Sequence, residues 1–101
     1  KMAELSEGFV ALPGGVGTLE EIFEIWTWAQ LGLHGKPVGL LNAGGHFDEL
    51  VRFLDHATAS GFNRAEQRGM LIVESTIETL LARFEAWVPP AVEKWIARDE
   101  T

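Results

Sequence analysis

The residues best suited to chemistry lie in one short stretch, LPGGVGTLEE, at residues 12–21. Glycines follow Pro13, and two glutamates, Glu20 and Glu21, come soon after them. Glycines at the start of a helix expose backbone N–H groups, which together with the helix dipole favour a bound phosphate. A carboxylate beside such a loop can orient a water molecule or stabilise a developing positive charge. The stretch therefore indicates a phosphate-binding loop joined to carboxylate chemistry.

Two familiar phosphate motifs do not fit this stretch. A P-loop needs a lysine before its last serine or threonine, and here Gly17 is followed directly by Thr18. A dinucleotide fingerprint needs a third glycine where this chain has Glu20. The interpretation that remains is a strand that leads through a glycine turn into the N-terminus of a helix. A plain capping box, with Thr18 as N-cap and Glu21 three residues later, is an equally open structural alternative.

The glycine stretch must be positioned by the elements around it. Along the chain, short apolar runs alternate with segments whose apolar residues have helical spacing. The apolar runs predict buried strands at residues 9–12, 37–41 and 70–73. One helix is predicted from Thr18 to Gly32 or Gly35, and a second from Phe47 to near Gly61. A third begins at a capping box, Ser75–Glu78, and its predicted core face consists of Ile77, Leu80, Leu81 and Phe84. Residues 1–8 predict the end of a helix, 62–69 a polar loop, and 91–98 a short terminal helix.

This alternation predicts an α/β fold: a parallel sheet with right-handed crossovers and helices on both faces. The 101 residues are expected to form part of a single domain. Ligands of such sheets bind at the carboxyl ends of the strands, which here are followed by residues 13–17, 42–46 and 74–75. Three parallel strands make a small sheet, so we expect further upstream strands or a partner chain.

Composition excludes several classes of function. The net charge of −7 argues against a broad nucleic-acid or anionic-membrane surface, although backbone N–H groups can still hold one phosphate. No apolar stretch is long enough to span a membrane, and the first residues, KMAELSEGF, do not predict a secretory signal. The chain has no cysteine, which fits a cytoplasmic protein. Its three histidines show no metal-ligand spacing, so no metal is expected.

Residues 13–21 match in full the P-G-G-x-G-T-x-x-E motif, and the chain thereby resembles the LOG ("lonely guy") family. The members of this family are cytokinin riboside 5′-monophosphate phosphoribohydrolases, and many were labelled lysine decarboxylases. The likeness extends to WTWAQLG at residues 26–32 and HGKPVGLLN at residues 34–42. It is close over about residues 1–62 and looser beyond.

The resemblance implies a Rossmann-like homodimer or higher homo-oligomer that needs no cofactor. Its substrate would be a nucleoside 5′-monophosphate such as AMP or N6-prenyl-AMP, cleaved to free base and ribose 5-phosphate. The family pairs a catalytic arginine with the motif's last glutamate, which Glu21 matches. The arginine is expected before Met2, so the chain is expected to be the C-terminal part of a longer domain. The implied substrate-binding residues are Gly14, Gly15, Val16, Gly17, Thr18, Leu19, Glu20 and, further along the helix, Thr27.

Two other functions compete with hydrolysis. A non-catalytic carrier of nucleotide or molybdenum cofactor would use the same glycine loop without the carboxylate chemistry. Lysine decarboxylation fits poorly, because neither Lys36, before a strand proline, nor Lys94, in the tail, suits a pyridoxal Schiff base.

Other side chains receive weaker predictions. Trp26 is expected in the core, whereas Phe23 and Trp28 could line either a dimer face or a base pocket. His46 follows two glycines at the ligand-binding edge and could approach the substrate. Glu24 is expected to be solvated beside the core face of its helix. Arg64 and Arg68 are expected to face solvent.

Overall fold

A computed structural model describes residues 2–5 and 8–88. The elements, in chain order, are β1 (Met2–Glu4), β2 (Phe9–Ala11), α1 (Val16–Gln30), β3 (Val38–Leu41), a 3-10 turn (Ala43–Gly45), α2 (Asp48–Ala59), α3 (Ala65–Gly69), β4 (Leu71–Glu74) and α4 (Ile77–Glu85). The three predicted strands and the three predicted crossover or closing helices are present. The predicted terminal helix at 91–98 lies outside the described residues.

The strands form one sheet in the order β1-β2-β3-β4. Strands β2, β3 and β4 are parallel, with Val10 opposite Gly39 and Gly39 opposite Ile72. The predicted parallel arrangement of these three strands is confirmed, and an additional strand that the sequence did not predict, β1, pairs antiparallel to β2 at the edge of the sheet. The helix end predicted at residues 1–8 is wrong over Met2–Glu4, which form β1. Pairing with β2 satisfies the backbone of β1, and reciprocal hydrogen bonds between Leu5 and Gly8 close the connection.

Alternate strand residues face opposite sides of the sheet and build two apolar clusters. The larger cluster contains Phe9, Val38 and Leu71 of the sheet and is covered by α1 through buried residues such as Ile22 and Trp26. The smaller cluster joins Val10 and Ile72 to Leu80 and Phe84 of α4. Helices therefore cover both faces, as predicted.

Helix α4 approaches the sheet where β3 has no side chain. A Cβ at Gly39 would lie 2.8 Å from Leu80 Cδ1 and 3.1 Å from Phe84 Cε1, distances that are too short for normal packing. Gly39 thus lets α4 lie directly on β3. Ile77, predicted to be in the core, is 39% exposed, because Leu80 and Phe84 alone point at the sheet. The cap of α4 is also displaced by one residue: Thr76 Oγ1 accepts a hydrogen bond from the Thr79 N–H.

The segment between α2 and β4 is more ordered than a polar loop. Helix α2 ends as predicted, with Gly61 at φ +88 just beyond it, but residues 65–69 form α3. Arg68 does not face solvent: its Nε donates to Asp55 Oδ1 at 2.8 Å and its Nη1 donates to the Leu71 carbonyl at 3.1 Å. Arg64 is half-buried. Within the described residues, no helix is long and apolar enough to cross a membrane.

Candidate functional site

The parallel register brings the carboxyl ends of β2, β3 and β4 to one edge of the sheet. We call this edge the rim. It carries the β2–α1 loop, which contains Gly14 and Gly15 and leads into the first turn of α1 with Gly17. It also carries the β3–α2 loop at residues 42–47 and the short β4–α4 link. At the rim, Arg83 Nη1 pairs with Glu74 Oε2 at 2.9 Å, which offsets the charge of the last carboxylate of β4.

Helix α1 begins earlier than the sequence predicts. Its first residue is Val16 and its N-cap is Gly15, at φ −103 and ψ −151, with no side chain capping the helix. The Leu19 N–H donates to the Gly15 carbonyl at 3.3 Å. Thr18 is therefore the third helical residue rather than the N-cap, and it is only 7% exposed. The capping-box alternative is wrong, and glycines occupy the cap and the first helical turn.

The glycines at positions 15 and 17 are not required by the fold of the described residues. Neither has a positive φ, and a Cβ added at either would meet no atom within 4 Å. At Gly17, which lies inside α1, glycine costs roughly 0.5–1 kcal/mol relative to alanine. What the two glycines provide is open access to the backbone at the start of α1, where helical N–H groups lack intrahelical acceptors.

The neighbouring β3–α2 loop is a tightly bonded turn. Asn42 Oδ1 accepts from the Phe47 N–H at 2.6 Å, and Asn42 Nδ2 donates to Asp48 Oδ1 at 2.7 Å. Gly44 and Gly45 lie in the left-handed region at φ +64 and +73, which disfavours residues with a Cβ. This turn is fixed by its own side-chain hydrogen bonds.

One side chain of the β3–α2 loop contacts the β2–α1 loop. His46 Nε2 lies 2.8 Å from the Gly14 carbonyl oxygen and 3.1 Å from the Gly14 amide nitrogen. The sequence placed His46 at the rim without giving it a partner, because the two residues are 32 positions apart. The structure joins the two glycine-containing loops through this contact.

The carboxylates of the motif lie on the solvent side of α1. Glu20 and Glu21 are exposed, as is Glu24 one turn further along the helix. Thr27 is exposed too, but its Oγ1 donates to the Phe23 carbonyl at 2.8 Å. A helix rises about 1.5 Å per residue, so Thr27 is displaced by about 13 Å along the axis from Thr18. Within this chain, the structure does not bring Thr27 to the glycine loop.

Thr27 instead lines an apolar cleft of about 420 Å³ between α1 and α2. Phe23 lines it as well, together with Phe53 and Phe62, which are 62% and 84% exposed. Trp26 is buried as predicted, and its indole N–H donates to the Gln67 carbonyl at 3.0 Å.

Trp28 lies elsewhere, in a second groove of α1. It is 41% exposed and lines this groove with Met2 and Leu33. Phe23 and Trp28, which the sequence could not separate, therefore belong to different surfaces. Among the residues described, no group of three or more acidic, histidine or cysteine side chains is placed to hold a metal ion.

The chain thus has an α/β arrangement in which a glycine-containing loop leads into the N-terminus of the first crossover helix. Residues 1–84 match the model of the family described as "Possible lysine decarboxylase". The chain belongs to this family, and within it to the LOG proteins that the glycine motif indicated.

Curated relatives carry the LOG name. A probable cytokinin riboside 5′-monophosphate phosphoribohydrolase, LOGL5 of Oryza sativa subsp. japonica, is 49% identical over 90 residues, which are 89% of this chain and 37% of the relative. The enzyme named LOG of the same organism is 47% identical over 88% of this chain and 37% of its own length. LOG3 of Arabidopsis thaliana is 46% identical over 88% of this chain and 41% of its own length. The chain thus spans about two fifths of the length of these relatives.

Proposed function

We propose that this chain is part of a hydrolase that cleaves the N-glycosidic bond of nucleoside 5′-monophosphates, such as AMP or N6-prenyl-AMP, to free base and ribose 5-phosphate. The observation that carries the proposal is the pair of glycines, Gly15 and Gly17, which the fold does not need and which open the start of α1. The relatives named as phosphoribohydrolases support the same reaction.

In the proposed reaction, the start of α1 holds the 5′-phosphate. The motif residues Gly14, Gly15, Val16, Gly17, Thr18, Leu19 and Glu20 would line the nucleotide, and Thr27 would meet it further along the helix. Backbone N–H groups and the helix dipole favour the phosphate despite the net charge of −7. Binding at the phosphate positions the ribose over the first turns of α1, where the exposed carboxylate of Glu21 lies.

Glu21 is the proposed catalytic residue. Breaking the C1′–N bond sends its electron pair to the base and leaves positive charge on the ribose, which a nearby carboxylate stabilises. Water then bonds to C1′ and loses a proton, and the base gains one. Glu21 can orient this water and accept its proton. Glu20 is proposed to hydrogen-bond the sugar hydroxyls or a neighbouring subunit.

The proposed assembly is a homodimer or higher homo-oligomer. The exposed Phe53 and Phe62 in the cleft of α1 and α2 supply apolar surface of the kind that subunits bury. The resemblance pairs Glu21 with an arginine that has no match in these residues. Tests of turnover therefore use the protein at its natural length.

Chromatography for free base, after incubation with AMP and with isopentenyladenosine monophosphate, tests the reaction. Glu21→Gln should lower kcat by at least about 100-fold while nucleotide binding stays within a few-fold, because the amide keeps the shape and loses the charge. Glu24→Gln is the matched control: it removes an exposed charge from the same helix and should change kcat little. Unchanged turnover in Glu21→Gln would refute its role. Nucleotide binding without any base release would favour the carrier function.

A further inference from the structure

We propose that His46 is a positioning residue for the phosphate-binding loop, because its Nε2 controls whether the Gly14 N–H is available to an anion. This inference rests on the proposed function, since it assigns a role in the same site. It adds a residue outside the glycine motif, from a different loop of the rim.

The geometry around Gly14 is unusual because one atom faces both of its backbone polar groups. His46 Nε2 is 2.8 Å from the carbonyl oxygen and 3.1 Å from the amide nitrogen of the same residue. A neutral imidazole carries its proton on one nitrogen only. Nε2 can therefore donate to the carbonyl or accept from the N–H, but it cannot do both at once.

The two tautomers leave the loop in different states. With the proton on Nδ1, Nε2 accepts from the Gly14 N–H and occupies that donor. With the proton on Nε2, the ring donates to the Gly14 carbonyl, and the N–H is released for a phosphate oxygen. The loop stays attached to His46 in both states. A bound anion at the loop should therefore select the tautomer protonated on Nε2.

The imidazole is well placed to act in this way because its own loop is rigid. The next residue, Phe47, is only 3% exposed, and its ring meets the imidazole edge-on at 4.8 Å between centroids. Asn42 fixes the same turn through its bonds to the Phe47 N–H and to Asp48. His46 thus joins an exposed, open loop to one that is anchored in the core.

Steady-state kinetics on the natural-length protein tests the inference. His46→Ala removes the hydrogen bond to the Gly14 carbonyl that holds the loop while its N–H binds the anion. The variant should therefore raise KM for AMP by roughly three- to tenfold, the equivalent of one hydrogen bond. It should leave kcat within about twofold, because the loop holds phosphate equally in the ground and transition states. His46→Gln should restore most of the affinity, since its amide can also donate and accept near the position of Nε2. His56→Ala, an exposed histidine of α2, is the control and should change neither constant.

A second measurement separates this inference from the hydrolase itself. Nitrogen-15 NMR during an AMP titration should show the Gly14 amide signal shifting and the His46 ring moving to the tautomer protonated on Nε2. If the wild type releases base but His46→Ala keeps its KM, the inference fails while the hydrolase stands. If no base is released, the Gly14 and His46 signals still decide: no response of these two signals to AMP overturns the inference, and the expected shifts support it.

Discussion

The two glycine-containing loops of the rim look alike in sequence, but their glycines meet different demands. In the β3–α2 loop, Gly44 and Gly45 adopt positive φ, and Gly45 lies against Asp48. At the start of α1, the N-cap Gly15 and the first-turn residue Gly17 have ordinary φ and open space where a Cβ would be. Glycine content alone therefore does not distinguish a structural turn from a binding loop. The backbone angle and the space around each Cα do.

The largest expected change in stability is at Gly45. In Gly45→Ala the new Cβ would lie 2.6 Å from Asp48 Oδ2, at φ +73. Left-handed strain plus displacement of Asp48 should lower the free energy of unfolding by about 2 kcal/mol. Gly44→Ala, at φ +64 in open space, carries the backbone strain alone and should cost about 1 kcal/mol. Urea denaturation measures both, and equal losses would contradict a role for the Asp48 contact.

A smaller loss is expected at Asn42, whose side chain holds the same turn together. Asn42→Ala removes the bonds to the Phe47 N–H and to Asp48, which should cost about 1–2 kcal/mol. Asp48→Ala removes only the second bond and should cost roughly half as much. Thermal unfolding of the two variants gives the comparison. A loss as large in Asp48→Ala would show that the Phe47 bond contributes nothing.

The smallest change in stability, and one of opposite sign, is expected at Gly17. Gly17→Ala adds a Cβ into open space within α1, so it should stabilise the fold by about 0.5 kcal/mol. The same methyl group obstructs the start of the helix and should weaken AMP binding by at least about tenfold. Denaturation paired with a binding titration tests this trade-off. Unchanged binding would mean that Gly17 does not face the nucleotide.

The order of strands and helices could be predicted because it depends on local patterns. Apolar runs marked β2, β3 and β4, and helical spacing placed Ile22 and Trp26 in the core. The errors arose where distant contacts outweigh local preference. Residues 2–4 have helix-favouring side chains, yet they pair with β2. Helix α3 is too short, at five residues, to show a period.

In the candidate site, too, the features that depend on local sequence were predicted, and those that depend on distant contacts were not. The glycine motif and its glutamates are contiguous, so the sequence revealed them together. The link from His46 to Gly14 crosses 32 positions and depends on the parallel register of β2 and β3, which no local pattern specifies. The start of α1 was misplaced because Thr18 resembles a cap, whereas the helix begins at Val16 and buries Thr18 within its first turn.

The close seating of α4 on Gly39 has a mechanical consequence for the rim. Phe84 and Leu80 fill the space above that glycine, so sliding α4 along the sheet would drive their side chains into the flanking strand residues. This packing fixes the position of the β4–α4 link at the rim. The glycine loop at the same edge is joined to the β3–α2 loop through the imidazole of His46.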